Sequence, residues 1–73
     1  MNEEMHASAH ADPILIEKQT GRPAHEALYW LRYEKDEHPY GYVRRIGGQW
    51  WAAIPGGYGE YHKTRTAAIA SLI

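Results

Sequence analysis

The chain contains no cysteine, so neither disulfide staples nor thiolate-rich zinc sites are open to it. With 73 residues, it must build its core from packing alone, and a domain of this size buries a smaller share of its surface than a larger one. The same absence suits a reducing, intracellular setting. No apolar run approaches the roughly 18 to 20 residues of a membrane span, and the N-terminus lacks the basic and apolar pattern of a signal peptide. A soluble protein without membrane contact, working in the cytoplasm, is expected.

A charge surplus is missing too. Eight Lys and Arg stand against nine Asp and Glu, a formal charge of -1, whereas stand-alone nucleic-acid binders usually carry a clear basic excess. The balance favours a protein partner. It is uneven along the chain, because Glu3, Glu4 and Asp12 fall in residues 1 to 12, which hold no Lys or Arg. Nine minus three leaves six acidic against eight basic groups over residues 13 to 73.

Residues 1 to 12, "MNEEMHASAHAD", offer small and polar side chains with no sustained periodicity, too little to offset the entropy of ordering. They read as a flexible tail, leaving residues 13 to 73 as one small domain. Ile14, Leu15 and Ile16 form an apolar run too short to fix its own conformation and are expected to lie as an extended cover on the core. In "EALYWLRYEK" and the Ala24 just before it, the spacing of Ala24, Ala27, Leu28 and Leu31 suits a helix, while Tyr29, Trp30 and Tyr33 favour a strand. The strand reading is preferred because "DEHPYG" supplies turn chemistry and "YGYVRRI" then resumes a strand pattern.

The clearest local signal is "RRIGGQWWAAI". Gly47 and Gly48 satisfy a two-residue primed turn, which needs positive φ at both positions. That register sets Ile46 opposite Gln49, Arg45 opposite Trp50, Arg44 opposite Trp51 and Val43 opposite Ala52. Alternation then gives one face Val43, Trp50, Ala52 and Ile54, and the other Tyr42, Arg44, Trp51 and Ala53. After the "PGGYG" break, "EYHK" allows a short strand. "TRTAAIASLI" reads as a helix capped by Thr64 or Thr66, with Ile69, Leu72 and Ile73 at helical spacing. The predicted fold is α+β: a small antiparallel sheet of three to four strands with one C-terminal helix on one face.

So short a helix covers only one side, and the Val43, Trp50, Ala52 and Ile54 face matches it better. Trp51 is then left on the open face beside Arg44 and Tyr42, in an arrangement suited to cation–π stacking. Two alternatives stand beside this reading. The N-terminal arm or the Ile14 to Ile16 run folds over that face, or a bulge at the glycine pair exchanges the roles of the two tryptophans. Candidate partner-binding residues are Tyr42, Arg44, Trp51, Arg45, Arg32 and Tyr58, Trp, Tyr and Arg being the types that dominate interfaces. Arg32, Arg44, Arg45, Lys63 and Arg65 form a conceivable phosphate-facing stripe, and scattered solvated arginines explain them equally well.

Chemistry of other kinds has little to stand on. His6 and His10 have the spacing of a helical zinc pair, but no further ligands lie near them. Ser8 and Ser71 sit in the tail and the terminal helix, and Glu60, His62 and Thr64 read as the wet side of a strand. Neither an enzyme nor a cofactor is expected.

"YVRRIGGQWWAAI" followed by "GEYHKTRTAAIASL" resembles the AP2 and integrase arm-type DNA-binding domains over residues 42 to 72. That likeness implies a groove-reading role for Arg44, Arg45, Trp50 and Trp51. Taken as a whole chain, the sequence resembles small lytic-phage regulators that bind bacterial RNA polymerase. This second resemblance implies a monomer in the host bacterial cytoplasm that contacts the polymerase large subunits. It also implies displacement of the promoter-recognition factor, suppressed termination, and DNA contact that is only indirect or weak.

Overall fold

The computed structural model describes residues 13 to 73. The expected tail and the His6 and His10 pair lie outside the described residues. Five strands run in chain order across one antiparallel sheet: β1 (Ile14–Lys18), β2 (Leu28–Tyr33), β3 (Gly41–Ile46), β4 (Gln49–Ala53) and β5 (Gly59–His62). One short helix, α1 (Arg65–Ala70), follows. The α+β class holds, but the strand count is five rather than three to four.

The added strand is the apolar run at residues 14 to 16. It does not lie over the core as a cover; it pairs with β2, Ile14 opposite Tyr33 and Ile16 opposite Leu31. A five-residue segment takes its conformation from the partner it finds, and β2 offers a free edge. The new edge ends in Glu17 and Lys18, charged side chains of the kind that discourage further strand addition. Ala24–Glu26 forms a single 3-10 turn, and the preferred strand then runs from Leu28.

The β3–β4 hairpin has the expected register throughout, including Arg45 opposite Trp50 and Arg44 opposite Trp51. Gly47 and Gly48 have φ of 55° and 85°, the positive pair that a primed turn requires. No bulge intervenes, so the two tryptophans keep their assigned faces.

The core lies between the sheet and α1. Leu31, Val43 and Ala68 are fully buried, with Ala52 beside them, and Ile14, Tyr29, Tyr40, Trp50, Ile69 and Leu72 pack around this cluster. Thr64 caps the helix, its hydroxyl oxygen accepting the Ala67 N–H at 3.1 Å. Six helical residues cannot persist alone, so tertiary contacts hold them in place. At the start of α1, the Arg65 guanidinium donates to the Tyr29 hydroxyl at 2.8 Å and lies 5.0 Å from that ring's centre.

At its other end, the Tyr40 hydroxyl donates to the Leu72 carbonyl at 2.8 Å, and burial pushes the Tyr40 phenol above its ordinary pKa. Leu72 packs onto Gly41, where a β-carbon would stand 3.3 Å from its methyl. Ile73, expected to share the buried stripe, instead points outward because the helix ends before it. Among the described residues no helix is long and apolar enough to cross a membrane.

Candidate binding face

Strand alternation sorts the sheet into two unlike surfaces. The helix side takes Tyr29, Leu31, Val43, Trp50 and Ala52. The opposite side follows from the register, and two of its rows cross four or all five strands. Leu28, Arg44, Trp51 and Tyr61 form one, and Glu17, Trp30, Tyr42, Ala53 and Gly59 form the other. α1 packs on the other side, and Ala53 is the one residue of these two rows that is buried.

Its aromatic rings meet in two pairs. Trp30 and Tyr42 are tilted at 5.6 Å between ring centres, and Trp51 meets Tyr61 edge-on at 4.8 Å. Both geometries are the offset kinds that ring quadrupoles favour. Trp30 is further fixed by its indole N–H, which donates to Gln19 Oε1 at 3.0 Å. Gly59 makes room for the Trp51 ring: a β-carbon there would fall 2.6 Å from two Trp51 ring atoms and 2.6 Å from the Ala52 carbonyl oxygen. The backbone oxygen cannot retreat without loosening the β4–β5 ladder. Gly59→Ala is therefore expected to displace the Trp51 ring and destabilise the fold by about 1 to 3 kcal/mol, as overpacking does. Thermal melts, with the Trp51 and Tyr61 ring NOEs as the local readout, check it.

The anticipated site residues are only partly brought together. Tyr42, Arg44 and Trp51 share the open face. Arg44 does stand across from Trp51, but the Trp51 ring packs on Tyr61. The cation–π contacts fall on the helix side, Arg45 lying 6.0 Å from the Trp50 ring centre and Arg65 over Tyr29. Arg45 thus belongs to the other surface, and so does Tyr58, which lines a groove with Ile54 and Leu72 near the end of α1.

Arg32 shares the open face but is engaged within the protein. It donates to both carboxylate oxygens of Glu17, at 3.0 and 3.2 Å, and to the Asp36 carbonyl at 2.9 Å. Hydrogen bonding from Arg32 holds the Glu17 carboxyl below its ordinary pKa. Of the five basic residues considered as a stripe, Arg32 and Arg44 lie on one side and Arg45 and Arg65 on the other. Trp30, Leu28 and Tyr61, with Glu17 and Gly59, are the members of these rows that sequence reasoning left out. Their places depend on the β1–β2, β2–β3 and β4–β5 registers, which no local signal announces.

The polar series at the end of the chain does not form the wet side of a strand. Glu60 and His62 face the helix side at 3.9 Å, and Thr64 is the cap. Among the described residues no group of three or more His, Asp or Glu side chains stands close enough to hold a metal ion. Comparison of the chain with protein families, with curated proteins and with solved structures gives no match.

Proposed function

We propose that this chain is a non-enzymatic binding protein that docks its open sheet face on a large protein partner. One observation carries the reading: Trp30, Tyr42, Trp51 and Tyr61, with Arg44 among them, occupy the side of the sheet opposite the helix and the core. These side chains do little for the core packed beneath α1. Rigid aromatic rings beside an arginine supply large contact area at small entropic cost, and they are the groups that most often dominate interfaces.

The resemblance to small lytic-phage regulators makes bacterial RNA polymerase, through its large subunits, the proposed partner. On that reading the chain acts as a monomer in the host cytoplasm, displacing the promoter-recognition factor at initiation and promoting antitermination. A duplex-DNA role has less support, since the basic side chains divide between two surfaces and Arg32 is already paired.

The test is co-migration with purified bacterial core polymerase on size exclusion, with the affinity measured at two salt concentrations. An aromatic protein interface should weaken by less than about tenfold between roughly 50 and 200 mM salt, whereas binding through many phosphates falls far more steeply. Failure to co-migrate, together with salt-sensitive binding of generic duplex DNA, would overturn the proposal in favour of the DNA-binding reading.

A further inference from the structure

The open face is not uniform. At the β2–β3 junction it sinks into a cleft of about 370 Å³ lined by Arg22, Leu28, Trp30, Tyr42, Arg44 and Pro55. Four of these are apolar or aromatic and two are arginines.

The two arginines are differently prepared. Arg22 is half-buried, and its Nε donates to the Glu26 carbonyl at 2.6 Å across the 3-10 turn, so the guanidinium is held at the cleft wall. Arg44 is exposed and projects from β3. Among the described residues neither forms an ion pair. The carboxylate that shares this face, Glu17, is already taken by Arg32 in a two-point contact. Among the described residues the cleft therefore presents two cations without a paired carboxylate, beside a Trp30 ring that Gln19 holds in place.

We infer that this cleft recognises an acidic peptide segment: one bulky apolar side chain enters between Leu28, Trp30, Tyr42 and Pro55, and flanking carboxylates are received by Arg22 and Arg44. The inference rests on the reading of the open face as a partner-docking surface and specifies the chemistry of what docks there. A guanidinium matches a carboxylate in a planar fork, which gives direction as well as attraction. A nucleic-acid strand fits the cleft less well, because following a phosphate backbone takes a track of cations, and Arg45 and Arg65 lie on the far side of the sheet.

The probe is a fluorescein-labelled peptide, Asp-Asp-Leu-Phe-Asp-Asp, titrated into the isotope-labelled full chain, with its Asn-for-Asp counterpart and a short oligothymidylate as comparators. Saturable binding is expected, with shifts at the Trp30 indole and the amides of Leu28, Tyr42 and Arg44. The neutral counterpart should bind about tenfold more weakly or worse, and Arg44→Glu should produce the same loss with dispersed amide resonances retained. Arg44→Lys, which keeps the charge but not the fork, should fall between the two.

Equal binding of the neutral peptide, shifts confined to the helix side, tighter binding of the oligothymidylate, or no saturation would each overturn the inference. The two proposals fail separately. Polymerase binding untouched by Arg44→Glu contradicts the cleft but leaves the docking face standing, whereas peptide capture without polymerase binding supports the cleft and removes the proposed partner.

Discussion

Replacing Leu31 with alanine is expected to cost about 2 to 5 kcal/mol of stability, enough to leave much of the population unfolded at room temperature. Leu31 is fully buried at the middle of β2, between Ile16 on one neighbouring strand and Gly41 on the other. It shares its cluster with Val43, Ala52 and Ala68, and two of those three are alanines with little side chain to collapse into a void. The cavity would therefore persist, and it is the persistent cavity that adds to the lost transfer energy. Among the described residues Val43 is the one other large side chain that is fully buried. Denaturant titration followed by tryptophan fluorescence measures the effect. A loss under roughly 1 kcal/mol would mean that the core is not centred between α1 and strands β2 to β4.

The second large effect is on binding. Trp51→Ala is expected to leave the chain folded and to weaken polymerase binding by about 2 kcal/mol, close to thirtyfold. Its ring touches Tyr61 and lies over Gly59, so the fold loses an aromatic pair worth about 0.5 to 1.5 kcal/mol beyond its area burial. Its neighbour provides the contrast. Trp50 packs against Tyr29 at 6.1 Å and borders the buried cluster, so Trp50→Ala should lower stability more and change affinity only through the folded fraction. Titration of each variant into core polymerase, alongside its melting curve, separates the two effects. Two unfolded variants, or two that are folded and bind fully, would remove the division of labour.

The placement of the two adjacent tryptophans on opposite faces was legible from strand alternation and the glycine pair before them. Gly47 and Gly48 pin the hairpin, and the hairpin pins every residue from Tyr42 to Ala53 to a face. What lay beyond the hairpin was less visible. The β1 strand is too short to declare itself, and its pairing with β2 spans positions such as Glu17 and Arg32, which are 15 residues apart. The sequence marks both as charged, but nothing local marks them as a pair.

The Trp51 contact is similar. Arg44 was its predictable cross-strand neighbour on β3, but Tyr61 and the missing β-carbon of Gly59 on the β5 side decide where the ring settles. Thr64 was one of two cap candidates, with Thr66, that side chain and position offered, and it is the one that caps α1. The exposure of Ile73 was not, because it depends on where a six-residue helix stops.

The most direct test of the account is hydroxyl-radical footprinting of the chain, free and bound to bacterial core polymerase, with oxidation at each aromatic residue and at Ile73 resolved by tandem mass spectrometry. Tyr61 and Tyr58 make a suitable pair, since they are 53% and 87% exposed and lie on opposite surfaces. The account predicts that binding protects Tyr61, Trp51, Tyr42 and Trp30 while Tyr58 and Ile73 are oxidised as before. Protection of Tyr58 and Ile73 with Tyr61 and Trp51 unchanged would place the interface on the helix side and contradict it.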